Sequence, residues 1–163
     1  ISDALALEAI RRFGEVRRAL EMAEISLDVR EVLLYVSMLG GLVIAQTSTT
    51  AVHALGYSLT YFHQVPHGRA NGLLMGEYLK FHAEVASDKI DCLLAAMKMQ
   101  SIAEFKQWLD SLFPGKTCLT EQQVEEDAVL AAKTANIANT LRQPDHDELK
   151  QLLRKSLIVG GEG

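Results

Sequence analysis

Two histidines among small and apolar neighbours are the residues of this sequence whose type and spacing best suit chemistry. His53 and His67 lie fourteen residues apart, at the end of a run from Val32 to Gly68 without any Asp, Glu, Lys or Arg. An imidazole in such surroundings is a buried neutral side chain held by hydrogen bonds, or it binds a metal ion. A catalytic metal site needs at least three protein ligands and an open position. The pair is therefore typical of half of a metal site.

The rest of the sequence offers little to complete such a site. His63 precedes His67 by four residues, but Pro66 between them disrupts helical hydrogen bonding, so a shared helix face is not expected. Carboxylates that could complete a site within the chain, such as Asp3 and Glu77, are distant in sequence. We therefore expect the remaining ligands to come from outside this chain.

Composition excludes several classes of function. The 163 residues are 48% hydrophobic and 23% charged with a net charge of −5, which is ordinary for one soluble globular domain. Lys and Arg are scattered, so nucleic acid is not an expected partner. Cys92 and Cys118 are the only cysteines and form no Cys-x-x-Cys pair. This favours two reduced cysteines in a cytoplasmic protein.

Helical periodicity dominates the chain. Apolar residues recur at intervals of three and four, and no segment indicates a convincing strand. The pattern predicts an all-α, bundle-like domain of about seven to nine helices over residues 1–157, followed by a flexible tail at 158–163. The first helix is expected from Asp3 to about Ala23. Further helix starts are indicated at Ser26, Pro66, Ser87, Ser101, Thr120 and Pro144.

The uncharged run from Val32 to Gly68 is long enough to raise the question of a membrane span. The polar segment Gln46–Thr50, the histidines and Pro66 interrupt it, and no basic cluster flanks it, so no membrane contact is expected. The better interpretation is a central helix that is hydrophobic all round because other helices surround it. Ser48 or Thr49 is expected to cap a short helix through Tyr57.

The two histidine segments resemble the iron-containing, or group III, alcohol dehydrogenase family. They read His53-Ala54-Leu55-Gly56-Tyr57 and Pro66-His67-Gly68-Arg69-Ala70-Asn71. The second segment is the more specific, because the family carries Pro-His-Gly-x-Ala-Asn there. The resemblance covers nearly the whole chain, as the family's C-terminal helical domain, which is similar to that of dehydroquinate synthases.

The resemblance implies a metal ion and a nucleotide cofactor. Family members hold one divalent ion, iron or zinc, through an aspartate, a histidine one turn later and two further histidines, which His53 and His67 match. The Asp-x-x-x-His pair is then expected before Ile1. An N-terminal α/β domain that binds NAD or NADP is expected outside this chain as well. Small alcohols or aldehydes are the implied substrates, and a homodimer is the expectation by analogy.

Tyr57 departs from the family pattern. The family often has a histidine there, four residues after the first ligand, near the substrate and in the place of a proton relay. A phenol can form a hydrogen bond to the alcohol oxygen, but its ordinary pKa of about 10 makes it a poor proton acceptor at neutral pH. Tyr57 is therefore a candidate catalytic residue, and the alternative is that it only packs.

Four other polar residues carry weaker hypotheses. His82 and His146 lie among polar neighbours and are expected to be solvated. Arg69 is expected to face solvent, with contact to a nucleotide phosphate as the alternative. Asn71 either orients a ligand through a hydrogen bond or is satisfied within the core.

The function predicted from the sequence is that of the C-terminal domain of a metal-dependent, NAD(P)-linked alcohol dehydrogenase. One alternative is a dehydroquinate-synthase-like lyase or a glycerol dehydrogenase relative. The lyases usually have an acidic residue after the His-Gly pair, where this chain has Arg69. The other alternative is a non-enzymatic helical interaction module with structural histidines. We expect this fragment alone to be inactive, because the cofactor domain and half of the ligands are missing from it.

Overall fold

The computed structural model describes residues 1–115 and 117–160. These residues form eight α-helices and two short strands, which confirms the prediction of an all-α fold with seven to nine helices. The helices are α1 (Ser2–Glu21), α2 (Leu27–Thr47), α3 (Ala51–His63), α4 (His67–Met97), α5 (Ile102–Leu112), α6 (Glu121–Ala132), α7 (Ala135–Ala138) and α8 (His146–Ser156). The strands are β1 (Cys118–Thr120) and β2 (Ile158–Gly160).

The two strands pair in parallel, with Cys118 opposite Ile158 and Thr120 opposite Gly160. The prediction that the chain contains no sheet is therefore wrong. A strand of three residues is too short for an alternation of apolar and polar side chains to be visible in sequence. Ile158–Gly160 was predicted to be part of a flexible tail, but it forms β2. Residues 161–163 of that predicted tail lie outside the described residues.

The chain divides into two compact units. The first unit comprises Ile1–Ser48 and Ala86–Leu112, and the second comprises Thr49–Val85 and the described residues from Phe113 onward. Helix α4 runs from the second unit into the first and is interrupted at Ala86, which has non-helical backbone angles (φ −141°, ψ 31°). This interruption lies directly before the helix start predicted at Ser87. The assignment of residues 1–157 to one domain stays a prediction.

Local signals fix the helix ends in the first unit. The Ser26 hydroxyl accepts a hydrogen bond from the Val29 amide at 3.3 Å, so the predicted cap of α2 is confirmed. The Ser101 hydroxyl caps α5 by accepting from the Glu104 amide at 3.1 Å.

Gly14 allows α1 to pack closely against the end of α4, since a Cβ at this position would lie 2.9 Å from the Ala96 carbonyl oxygen.

Helix α2 differs from the prediction. It packs against α1, but Leu39 is the one buried residue of its 21, all of which the structure describes. The interpretation as a central helix surrounded by others is therefore wrong for this chain. A helix that is hydrophobic on all faces is expected to be covered, but its own sequence does not identify the partner that covers it. The exposed apolar residues of α2 are Leu27, Leu34, Tyr35, Met38, Leu42 and Ile44. Among the described residues, no helix is long and apolar enough to cross a membrane.

The core of the second unit is built from α3, the first half of α4, α6 and α8. Its fully buried residues include Leu55, Leu59, Leu74, Val124, Leu149 and Leu153. The helix start predicted at Thr120 has a capping box between Thr120 and Gln123, and α8 begins with a second capping box between Asp145 and Glu148.

The start of α3 is held by side chains that are distant in sequence. Its N-cap residue is Thr50, which makes no side-chain cap, so the prediction of a cap by Ser48 or Thr49 is wrong. The Thr140 hydroxyl instead accepts from the Ala51 amide at 2.9 Å, and the Tyr78 hydroxyl donates to Thr50 Oγ1 at 2.9 Å. These contacts orient the helix that carries His53.

Candidate metal centre

A short turn between α3 and α4 brings the two candidate ligands together. Gln64 ends α3 in the left-handed conformation (φ 56°, ψ 25°), and the Val65 amide donates back to the Leu59 carbonyl at 3.1 Å. Pro66 then leads directly into α4, whose first residue is His67. The ring centroids of His53 and His67 lie 5.1 Å apart. The turn therefore reverses the chain so that the second histidine lies beside the first.

Tyr57 completes a cluster of three rings. It lies one turn after His53 on α3, and the centroids of the two rings are 5.9 Å apart. Its ring stacks on His67 with a centroid distance of 5.6 Å and an interplanar angle of 11°. The structure thus brings together all three of the sequence-predicted site residues, while their roles stay predictions. Tyr57 is 47% exposed, so the cluster is open to solvent on this side.

His53 has the surroundings of a neutral imidazole. Its Nδ1 atom is buried and has no hydrogen-bond partner within the described part of the chain. Burial lowers the pKa of His53, and the neighbouring positive charge of a protonated His67 lowers it further. The neutral ring is the form that can donate a lone pair to a metal ion. A buried nitrogen without a partner beside a second imidazole fits a metal site.

The pair does not form a complete site within this chain. No group of three or more His, Cys, Asp or Glu side chains among the described residues is arranged to hold a metal ion. Asp3 pairs with Lys89 at 3.1 Å, and Glu77 pairs with Lys80 at 2.9 Å. Completion of the site by these carboxylates therefore has no support.

Two of the other histidines contact carboxylates. His63 ends α3, and its Nε2 lies 2.9 Å from the carboxylate of Asp127, which is 2% exposed. Burial raises the pKa of Asp127, while the charge of His63 acts in the opposite direction. This pair could not be predicted from the sequence, because 64 residues separate its members and no local pattern connects them. His146 lies at the surface, where its Nε2 is 2.6 Å from Glu125.

His82 is buried, so the prediction that it is solvated is wrong. It is 6% exposed, and its Nδ1–H donates to the Tyr78 carbonyl at 3.2 Å. The rings of Tyr78 and Phe81 contact it. The prediction of a solvated His82 relied on its polar neighbours in sequence, but these neighbours lie on other faces of the same helix.

Arg69 holds a loop. Its guanidinium donates to the carbonyl oxygens of Pro114, at 3.0 Å, and Gly115. Arg69 is therefore partly covered by this loop rather than fully solvated, while its contact with a nucleotide phosphate stays a prediction. Asn71 contacts the candidate site directly, since its amide Nδ2 lies 3.2 Å from His67 Nε2.

The all-helical fold and the paired imidazoles define a class of protein. Residues 1–157 match the family model for the Fe-containing alcohol dehydrogenase family, C-terminal, so the chain belongs to that family. It is similar to alcohol dehydrogenase 4 of Schizosaccharomyces pombe, with 25% identity over 96% of this chain and 40% of the relative. A 1,3-propanediol dehydrogenase of Klebsiella pneumoniae is 30% identical over 50% of this chain and 21% of the relative.

A solved structure agrees with this assignment. The iron-containing alcohol dehydrogenase from Thermotoga maritima superposes with a TM-score of 0.83 at 29% identity, covering 96% of this chain and 42% of the other. The chain therefore spans about two fifths of the length of these full relatives. None of the relatives named here is a dehydroquinate synthase or a non-enzymatic module, so nothing favours the alternatives raised from the sequence.

Proposed function

We propose that this chain is the C-terminal domain of a metal-dependent, NAD(P)-linked alcohol dehydrogenase that interconverts small alcohols with aldehydes or ketones. In this proposal His53 and His67 supply two of the ligands of one divalent ion, iron or zinc. The observation that carries it is the pair of imidazoles with centroids 5.1 Å apart, one of which has a buried, unpartnered Nδ1 within the described residues. Family membership and the names of the relatives support the same activity.

The chemistry of the donors suits such an ion. Neutral imidazoles suit both iron and zinc, and they leave the ion electrophilic. Because two ligands are too few, the proposal requires the Asp-x-x-x-His pair of the resembled family from the part of the protein before Ile1. A bound divalent ion would lower the pKa of the alcohol hydroxyl and so favour hydride removal from its carbon.

The residues of this chain have separate roles in the proposal. His53 and His67 bind and orient the ion from two helices. Tyr57, exposed and stacked on His67, donates its hydroxyl hydrogen bond to the substrate oxygen. A phenol is a poor base at neutral pH, so we assign Tyr57 an orienting role rather than that of a proton acceptor.

The cofactor is assigned to the remaining part of the protein. We propose that NAD or NADP is bound mainly by an N-terminal nucleotide-binding domain, and that the protein forms a homodimer by analogy with the family. A cytoplasmic location stays a prediction. Residues 1–163 alone are expected to show no turnover of aldehyde with NADH or NADPH, because two ligands and the cofactor domain are lacking. Clear turnover by this chain alone would contradict the division of roles.

The activity is tested on the full-length parent protein. Metal is removed with a chelator, iron or zinc is supplied, and the reduction of short aldehydes is followed by oxidation of NADH or NADPH. We expect turnover that disappears on chelation and returns with one of the two metals. Failure of both metals to produce turnover with any short aldehyde would contradict the proposed function.

A further inference from the structure

The side chain of Asn71 lies between a candidate metal ligand and the neighbouring helix. Asn71 is on α4, one turn after His67, and its amide Nδ2 lies 3.2 Å from His67 Nε2. The amide Oδ1 is buried and has no hydrogen-bond partner among the residues that the structure describes. One end of the amide thus contacts the candidate site, and the other end faces α3.

Gly56 makes room for this amide. It lies in the interior of α3, one turn after His53, where glycine is less favourable than alanine. A Cβ at this position would overlap Asn71 Oδ1. The overlap involves the end of a flexible side chain, so an added methyl group would displace the amide rather than unfold the helix. The absence of a side chain at position 56 therefore determines where the Asn71 amide lies.

The amide nitrogen of Asn71 faces His67 Nε2, and this orientation implies which ring nitrogen carries the proton. An amide N–H that donates to Nε2 requires a lone pair on that nitrogen, so the proton of the neutral ring is on Nδ1. A histidine binds a metal ion through the nitrogen that has the lone pair. In the metal-free protein the Asn71 amide thus stabilises the Nδ1–H tautomer of His67 and occupies the Nε2 lone pair that an ion would need.

We propose that Asn71 is a positioning residue that holds His67 in the Nδ1–H tautomer, and that Gly56 provides the space for its amide. This inference rests on the proposed function of His67 as a metal ligand. A bound ion would take the place of the amide at Nε2. Because the other end of the amide has no partner in the described part of the chain, the displacement breaks a single hydrogen bond.

The tautomer is measured directly in the absence of metal. The full-length parent is labelled with nitrogen-15 at histidine, stripped of metal and examined by NMR at a pH of about 8, above the ordinary histidine pKa of about 6.5. The His67 signals are assigned by their loss in His67→Ala. We expect the Nδ1–H tautomer in the parent. Asn71→Asp replaces the donor by an acceptor of the same shape, so we expect the Nε2–H tautomer in that variant.

Two glycine-to-alanine variants distinguish the loss of space at position 56 from a general effect of an added methyl group. In Gly56→Ala the displaced amide should shift the tautomer ratio about fivefold toward Nε2–H, the change expected for one lost hydrogen bond. Gly68→Ala is the matched control, because a Cβ there meets none of the described residues within 4 Å. It should leave the ratio unchanged. The Nε2–H tautomer in the parent, or a ratio unaffected by Asn71→Asp and Gly56→Ala, would overturn the positioning role.

Metal affinity distinguishes this inference from the function on which it rests. Zinc affinity is measured by competition with a chelating dye, with circular dichroism as the check on folding. Because the amide and the ion compete for the same lone pair of His67, we expect Asn71→Leu to strengthen zinc binding by up to about fivefold, the effect of one hydrogen bond. Undiminished zinc binding in His67→Ala would overturn the proposed function of His67, whereas the tautomer measurement decides on Asn71 by itself.

Discussion

Tyr57 tests the proposed site at the scale of one atom, because Tyr57→Phe removes the hydroxyl and keeps the ring that stacks on His67. We expect this variant of the full-length parent to lose about fivefold in kcat/KM for aldehyde reduction, the effect of one neutral hydrogen bond. Tyr61→Phe is the control, since Tyr61 lies on the same helix one turn later and is 75% exposed. Equal kinetics for the two variants would assign Tyr57 to packing alone.

His82 gives a residue-scale prediction about pH. Burial lowers the pKa of His82, and the charge of Arg142 adds to this effect. The unfolded chain therefore takes up this proton near the ordinary pKa of about 6.5, where the folded chain does not. The stability that depends on neutral His82 is complete above that pH and is lost as the pH falls toward the folded pKa, by at most about 1.4 kcal/mol per pH unit.

The variant His82→Phe should reduce this loss of stability in acid. Its ring retains the contacts with Tyr78 and Phe81 but does not titrate. The measurement is the free energy of unfolding in urea at pH values of about 7.5 and 5, on either side of the ordinary histidine pKa. His146→Gln, at an exposed histidine, is the control and should keep the dependence on pH that His82 causes. An unchanged dependence in His82→Phe would contradict the role of His82.

The sequence predicted the ring cluster for a local reason. A spacing of four residues places Tyr57 over His53, and a proline at a helix start places His67 just after a turn. The contact between His63 and Asp127 depends on how α3 and α6 pack, and that packing has no signal in either helix. Contacts that depend on one turn of helix were therefore predictable from the sequence, whereas contacts between helices distant in sequence were not.

At the scale of elements, helix ends were predicted well and helix surroundings poorly. The predicted caps at Ser26 and Thr120 involve residues three positions apart, so the sequence contains the whole interaction. The pairing of β1 with β2 joins segments forty residues apart and is too short to leave a pattern. The uniform hydrophobicity of α2 indicated burial, but most of its apolar residues are exposed.

The exposed surface of α2 predicts the behaviour of this chain in solution. Leu34, Met38 and Leu42 form a stripe at intervals of four residues with exposures of 74%, 52% and 47%. We expect residues 1–163 to self-associate, because contiguous exposed apolar surface is unfavourable in water. Leu34→Glu with Leu42→Glu should shift the chain toward the monomer in light scattering after size-exclusion chromatography.

The matched control for this surface is Ser37→Glu. Ser37 lies on α2 and is exposed, so the variant adds a charge without removing an apolar side chain. Self-association should persist in it. A monomeric wild-type chain at all concentrations would contradict the prediction, as would equal behaviour of Ser37→Glu and the double leucine variant.

At the scale of the whole molecule, the chain is two compact units that span about two fifths of the length of its relatives. The second unit contains both candidate ligands, and hydrogen bonds from distant residues hold the start of the helix that carries His53. The family and the all-α fold could be predicted because the histidine segments and the helical period are local. The proposed activity belongs to the full-length parent, so its decisive test is made there.

The most direct measurement is the metal content of the purified full-length parent by mass spectrometry, for the wild type and for His53→Ala, His67→Ala and His146→Ala. His146 is the control, because it is an exposed histidine paired with Glu125. We expect about one iron or zinc per chain in the wild type and in the control, and a loss of most of the metal in the other two variants. Full metal content in folded His53→Ala or His67→Ala would contradict the account.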